Sequence, residues 1–238
     1  MPLPAILLPG YFAPGSEYQT LAQLLETAGI STTIVPLTKW DWIPTLGGRS
    51  IQPIVEKINQ TVQAVRQQTS CSRVNLIGHS AGGWIARIYL GAMPYDVHGM
   101  QPGKTYAWKA HEWVDRLITL GTPHTSQERW TRKNLDFVNQ TYPNAYHEDV
   151  RYICIAGQSV YGEKAGTKRT WSSWLAYNSY ELTCGEGNTW GDGITPIAAA
   201  HLEGAENLVL DGVRHAPRSP DRWYGSPDVL PAWIDYLR

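Results

Sequence analysis

Gly78-His79-Ser80-Ala81-Gly82 puts a single hydroxyl into a G-x-S-x-G frame. An apolar run ends at Gly78 and a second apolar pattern begins at Ala81, so Ser80 falls at a predicted strand-to-helix junction. A turn that tight holds its central residue in a strained backbone conformation. Glycine at 78 and 82 leaves room where side chains would collide. A helix starting at Ala81 points free N–H groups at any anion that forms beside the serine. This is the setting of a nucleophile: Ser80 as the attacking group, with Gly78, His79 and Gly82 forming its elbow.

A serine hydroxyl needs a base, and the base needs an orienting carboxylate. Seven histidines are available. His79 is too close in sequence to fold back onto Ser80. His98 and His111 fall in a predicted insertion, and His124 follows Leu120-Gly121-Thr122-Pro123. His147 precedes a strand, at the wrong end of a parallel sheet, and His201 falls in a predicted helix. His215 follows the last predicted strand, and sites in open parallel sheets form beyond the carboxyl ends of strands. Three carboxylates compete for the orienting role. Asp192 lies between Gly191 and Gly193, a setting shared with ordinary Asp-Gly turns. Asp211 is nearer the last strand but only four residues from His215, and Asp149 precedes its strand.

An oxyanion requires two N–H donors. Ala81, directly after the nucleophile, is one. Tyr11, or else Phe12, in the loop Leu8-Pro9-Gly10-Tyr11-Phe12 is the other; Pro9 cannot donate. The run Gly99-Met100-Gln101-Pro102-Gly103-Lys104-Thr105 resembles a phosphate-binding loop but is one residue short between its glycines and follows no strand, so nucleotide binding is not expected.

The elements that must position these groups alternate. Strands are predicted at 3–8, 30–37, 73–77, 116–120, 152–156 and 207–210. A helix follows a capping box at Ser16 and Gln19 and closes at Gly29. Others cover the amphipathic run from Ile51 to Val65, residues 81–92 and residues 228–237. This pattern specifies an α/β fold with a mainly parallel twisted sheet and helices on both faces. Stretches 94–113, 123–149 and 158–190 are too long for ordinary connections and read as lid or cap insertions within one domain, 1–238.

The 238 residues suffice for a full core, and the net charge of −1, without blocks of like charge, points to no nucleic-acid partner or anionic membrane surface. Cys71, Cys154 and Cys184 have no metal-ligand spacing and read as reduced thiols; no metal or other cofactor is called for. No apolar run reaches the ~18 residues needed to span a bilayer. The N-terminus lacks the features of a signal peptide. A cytoplasmic protein is expected, or an organelle one after loss of a targeting peptide. There are 11 Trp and 13 Tyr against 2 Phe. Many of these aromatics fall in the insertions, where they either line an apolar substrate path or pack the insertions onto the sheet.

Together, Leu8-Pro9-Gly10-Tyr11, Gly78 to Gly83, Leu120 to His124, Gly191 to Pro196 and Val213-Arg214-His215 resemble the α/β-hydrolase lipases and esterases. More narrowly they are similar to the branch that includes PGAP1-type deacylases. The resemblance runs from residue 3 to 238 and departs at Pro9, where many lipases carry histidine. It implies an α/β-hydrolase fold, an eight-stranded type of sheet trimmed at its start. The family's chain order Ser…Asp…His implies Ser80 as nucleophile, Asp192 as acid and His215 as base. The implied activity is hydrolysis of a small-molecule apolar ester or lipid with a medium- or long-chain acyl group. Acyl transfer and thioester cleavage on the same residues, and a receptor without turnover, are the alternatives. Oligomeric state is not specified.

Overall fold

The computed structural model describes residues 2–47, 49–95, 106–166, 170–217 and 222–238, and for Trp130 the backbone alone. The 99–105 run, His98 and parts of the 94–113 and 158–190 insertions lie outside the described residues.

In chain order the elements are β1 (Ala5–Leu8), α1 (Gln19–Thr27), β2 (Thr32–Ile34), α2 (Gln52–Thr69), β3 (Val74–His79), α3 (Ala81–Leu90), β4 (Val114–Leu120), α4 (Arg129–Thr141), β5 (Arg151–Gln158), β6 (Val160–Tyr161), α5 (Trp171–Cys184), β7 (Trp190–Gly191), α6 (Ile197–Ala200) and β8 (Glu206–Asp211). Six strands form one sheet in the order β2-β1-β3-β4-β5-β8, with every neighbouring pair parallel. β6 and β7 pair antiparallel beside it. This is the α/β-hydrolase arrangement of a parallel sheet between helical layers.

Strand side chains alternate between the two faces. Ile6 and Leu8 of β1 join Leu76 and Leu117 in one core, against Ile54, Val55, Ile58 and Val62 of α2 and Trp84, Ile85 and Ile88 of α3. Ala5 and Leu7 join Ile77, Ile118, Ile153 and Ile155 in the other, against Leu21 and Leu25 of α1 and Trp233 and Leu237 near the C-terminus. With both faces covered, the central strands are continuous apolar runs. Every residue of α3 is buried, because this helix lies between the sheet and its neighbours α2 and α4.

Two helix expectations fail for local reasons. The Ser16–Gln19 capping box does not form. Residues 15–18 make a 3-10 turn, and α1 starts after Tyr18 with no side-chain cap, because Tyr18 is turned inward and fully buried. The helix expected over 228–237 is two 3-10 turns, Leu230–Ala232 and Ile234–Leu237. Pro231 lacks an N–H, and Trp233 leaves helical geometry at φ −140° while its ring is buried and its Nε1–H donates to the Tyr224 carbonyl at 2.9 Å. His201 lies just past the single turn of α6 rather than inside a helix.

Candidate active site

Because the six strands run parallel, the loops that follow β1, β3 and β8 emerge at one rim with Tyr11, Ser80 and His215, and Asp192 joins them from the end of β7 in the small antiparallel pair. Ser80 directly follows β3 with φ 51° and ψ −124°, a conformation that costs a non-glycine residue roughly 1–3 kcal/mol. The surroundings hold it there. Its N–H donates to the Leu120 carbonyl at 2.9 Å and its carbonyl accepts from Thr122 Oγ1 at 2.8 Å. A Cβ on Gly78 would lie 2.5 Å from the Gly83 Cα, and one on Gly82 would lie 2.5 Å from the Leu8 carbonyl oxygen. The two glycines therefore let the elbow fold onto α3 and onto the end of β1.

His215 lies in the loop after β8. Its Nε2 is 3.0 Å from Ser80 Oγ and its Nδ1 is 2.7 Å from Asp192 Oδ2. A carboxylate only accepts, so Nδ1 carries the proton and Nε2 offers its lone pair to the hydroxyl. Asp192 follows β7, and its side chain is fully shielded from solvent. Its Oδ1 accepts the N–H groups of Ile194 and Thr195 at 3.0 and 2.7 Å, and its Oδ2 accepts the Tyr224 hydroxyl at 2.7 Å. Burial pushes this carboxyl up; the adjoining His215, the Thr195 N–H and the Tyr224 O–H outweigh that and hold it below the ordinary carboxylate range. Asp211 is exposed at the end of β8, and Asp149 precedes β5.

Tyr11 and Phe12 occupy the middle of a turn closed by the Ala13 N–H on the Gly10 carbonyl at 3.1 Å, with Phe12 at φ 56°. The Gly10 N–H is taken by the Tyr18 hydroxyl at 2.9 Å. Ala81 opens α3, where first-turn N–H groups have no partner within the helix.

Two groups in this site have no signature in the sequence. Tyr224 accepts the Gly157 N–H at 2.8 Å while donating to Asp192. Tyr18 joins His79 to the Gly10 loop. His79 Nε2 is 2.9 Å from the His215 carbonyl oxygen, so Nε2 carries the proton; Nδ1 then accepts from the Tyr18 hydroxyl at 2.7 Å. Burial, then the neighbouring His215, lowers the His79 imidazole to about 3, which keeps it neutral. Tyr18 and Tyr224 lie 61 and 32 residues from the side chains they serve, and no local pattern marks such a partnership.

The remaining described histidines lie apart. His111 and His147 stack at 4.5 Å, ahead of the starts of β4 and β5. His124 is buried with Nε2 3.4 Å from both Thr119 Oγ1 and Cys154 Sγ. Among the described residues no cluster of His, Cys, Asp and Glu could hold a metal ion.

Two clefts flank Ser80. One, of about 430 Å³, runs along Gly10 to Ala13 and the His215 loop. The other, of about 340 Å³, opens between α4 and α5. Tyr11 and Ser80 line both. The described aromatic side chains of the three insertions line neither. Tyr95, Trp108, Tyr142 and Tyr180 are buried in packing, and the α4/α5 cleft is lined by Trp84, Leu135, Leu182 and Ile194 together with several Ser and Thr residues and Glu128.

A family model described as a PGAP1-like alpha/beta domain matches residues 45–157. That span holds β3, the strained serine, α3, β4 and most of β5, the centre of the sheet described above. The chain has the fold of the α/β-hydrolases. No curated protein matches the sequence significantly. Solved structures similar to this chain include the lin2722 gene product of Listeria innocua, with 12% identity, 98% of this chain and 94% of that chain covered, and a TM-score of 0.49. A predicted CIB-like hydrolase of Thermoplasma acidophilum has 10% identity, coverage of 98% and 86%, and a TM-score of 0.48. A pyrethroid hydrolase of Sphingobium faniae has 17% identity, coverage of 52% and 41%, and a TM-score of 0.35. No described helix of the chain is long and apolar enough to cross a membrane.

Proposed function

We propose that this α/β-hydrolase is a serine esterase that cleaves a carboxylic ester through an acyl-enzyme. The observation that carries the reading is the unbroken path from Ser80 Oγ to His215 Nε2 at 3.0 Å and from His215 Nδ1 to Asp192 at 2.7 Å. In the proposed reaction Oγ attacks the acyl carbon while its proton passes to Nε2. The carbonyl oxygen, now anionic, takes hydrogen bonds from the N–H groups of Ala81 and of Tyr11 or Phe12. The Gly10 N–H is already engaged by Tyr18, which supports a donor further along the loop. The ester C–O bond then breaks, and the alcohol leaves with the proton from Nε2. Water attacks the acyl-serine, gives a proton to Nε2, and that proton returns to Oγ as the acid departs. Asp192, held ionised, stabilises the imidazolium in both halves.

Ser80→Ala tests the reading. Turnover of p-nitrophenyl esters should fall by three or more orders of magnitude and covalent labelling by a fluorophosphonate should vanish, with the melting curve retained. An Ala variant that still turns over the ester would overturn it.

A further inference from the structure

The Gly10 loop and the His215 loop leave the sheet from β1 and β8, strands that do not pair with each other, and two buried side chains join them. We propose that Tyr18 and His79 are positioning residues whose hydrogen bonds tie these loops together around Ser80, so that the oxyanion donor and the base are set as one unit. This role rests on the hydrolase reading above.

The bonds run in one direction. The Gly10 N–H donates to the Tyr18 hydroxyl at 2.9 Å, that hydroxyl donates to His79 Nδ1 at 2.7 Å, and His79 Nε2–H donates to the His215 carbonyl at 2.9 Å. Removing either side chain leaves buried polar groups unpaired at both of its ends. Burial raises the Tyr18 phenol above its ordinary range, so the hydroxyl keeps the proton it gives to His79. The Tyr18 ring is fully buried and lies edge-on to Trp223 at 6.0 Å, which fixes the middle of the bridge.

Both ends of the bridge bear on the chemistry. Gly10 lies against the nucleophile: a Cβ there would be 2.9 Å from the Ser80 Cβ. The Gly10 carbonyl accepts the Ala13 N–H at 3.1 Å, with Tyr11 and Phe12 inside that turn, so a shift of Gly10 carries both candidate oxyanion donors with it. At the other end the His215 N–H donates to the Asp192 carbonyl at 3.1 Å while its own carbonyl takes the bond from His79. The backbone of the base is thereby held on one side to the residue of its carboxylate and on the other, through His79 and Tyr18, to the Gly10 loop. A misplacement of about 1 Å in such a site can cost roughly 10²-fold in rate.

A pair of substrates tests the bridge: p-nitrophenyl butanoate and its thiono analogue, in which sulfur replaces the carbonyl oxygen. Sulfur accepts hydrogen bonds poorly, so the thiono ester needs the nucleophile and the base but draws little from the oxyanion donors. The ratio of kcat/KM for the two esters, oxygen over sulfur, therefore reads the donors, and unfolded protein cancels from it. Tyr18→Phe should lower the ratio about tenfold and turnover of the oxygen ester by up to roughly 10²-fold. His79→Phe should lower the ratio too, although residue 79 makes no bond to the Gly10 loop itself. The double variant should lose little more than the worse single one, since either change opens the same bridge. His79→Gln, whose amide oxygen can accept from Tyr18 and whose NH₂ can donate to the His215 carbonyl, should restore the ratio. A parental ratio in Tyr18→Phe, losses that multiply in the double variant, or a Gln variant no better than Phe would overturn the bridge. Fluorophosphonate labelling of the parent separates the two levels. If Ser80 is labelled, those results sink the bridge alone; if it is not, the hydrolase reading falls with it.

Discussion

His79→Phe should lower stability at neutral pH by an amount that shrinks as the solution is acidified. The imidazole of His79 links three loops, accepting from Tyr18 at 2.7 Å and donating to the His215 carbonyl at 2.9 Å. Phenylalanine keeps a ring against His215, 4.8 Å away between centroids in the native protein, but makes neither bond. Two net hydrogen bonds and a carbonyl left without its donor amount to about 2–3 kcal/mol near pH 7. For a chain of 238 residues that is a fall in Tm of roughly 4–12 °C. The pH term has the opposite sign. His79 is held down to about 3 from 6.5, first by burial and then by His215. Below 6.5 the unfolded chain takes up a proton that the native protein refuses until about 3. Over that window the native protein loses a little over 1 kcal/mol per pH unit through this residue, while the Phe variant loses nothing there. Stability from a neutral His79 is thus complete above 6.5 and spent near 3. Between pH 7 and pH 5 the gap between the two proteins should close by about 2 kcal/mol, bringing their melting temperatures nearly together. Urea or thermal melts by circular dichroism across pH 5–8 measure this directly. A gap of constant size across that range would refute the neutral, doubly bonded imidazole.

Two further substitutions follow from the same rim. Gly82→Ala puts a Cβ 2.5 Å from the Leu8 carbonyl oxygen and 3.0 Å from that of Pro9, both backbone and unable to swing away. It should cost roughly 1–3 kcal/mol by denaturant melt, and fluorophosphonate labelling of Ser80 should slow in parallel. Tyr224→Phe removes a donor to Asp192 and orphans the buried Gly157 N–H, a loss of about 1–3 kcal/mol. The native carboxyl lies below the ordinary range, so its contribution to stability is present above that range and lost as pH falls through the lowered value. Without Tyr224 that loss should begin at higher pH, and the acid limb of the kcat profile should move the same way. An unmoved acid limb would rule out the Tyr224 contribution.

The parallel sheet was legible because five of its six strands were marked by apolar runs bounded by Pro, Gly or an amphipathic helix. Burial on both faces made the runs of β1, β3, β4 and β5 continuous. β2 is the shortened one, three residues against the eight expected; the Val35 N–H still reaches the Leu7 carbonyl at 2.9 Å, and the Leu37 N–H then turns back onto the Val35 carbonyl at 2.7 Å. The failures at 16–19 and 228–237 share a cause. In both places local spacing favoured a regular helix, and a large aromatic, Tyr18 or Trp233, took an inward position that regular helical geometry would not give it. Tertiary burial overrode propensity there.

The site divides along the same line. The elbow is written locally, because glycines at 78 and 82 answer to atoms that are themselves fixed by the strand–turn–helix unit. The choice between Asp192 and Asp211 is not written locally. Both are carboxylates near a strand end, and what separates them is that one lies fully shielded among four donors and the other faces solvent. His79 shows how the two kinds of information combine. Its position next to Ser80 rules it out as the base on chain geometry alone, and that same constraint fixes its ring beneath His215, where a neutral imidazole can bond to the loops on either side. The residue next to Ser80 in sequence thus touches the candidate site through backbone, by bonding to the carbonyl of the histidine that faces Ser80.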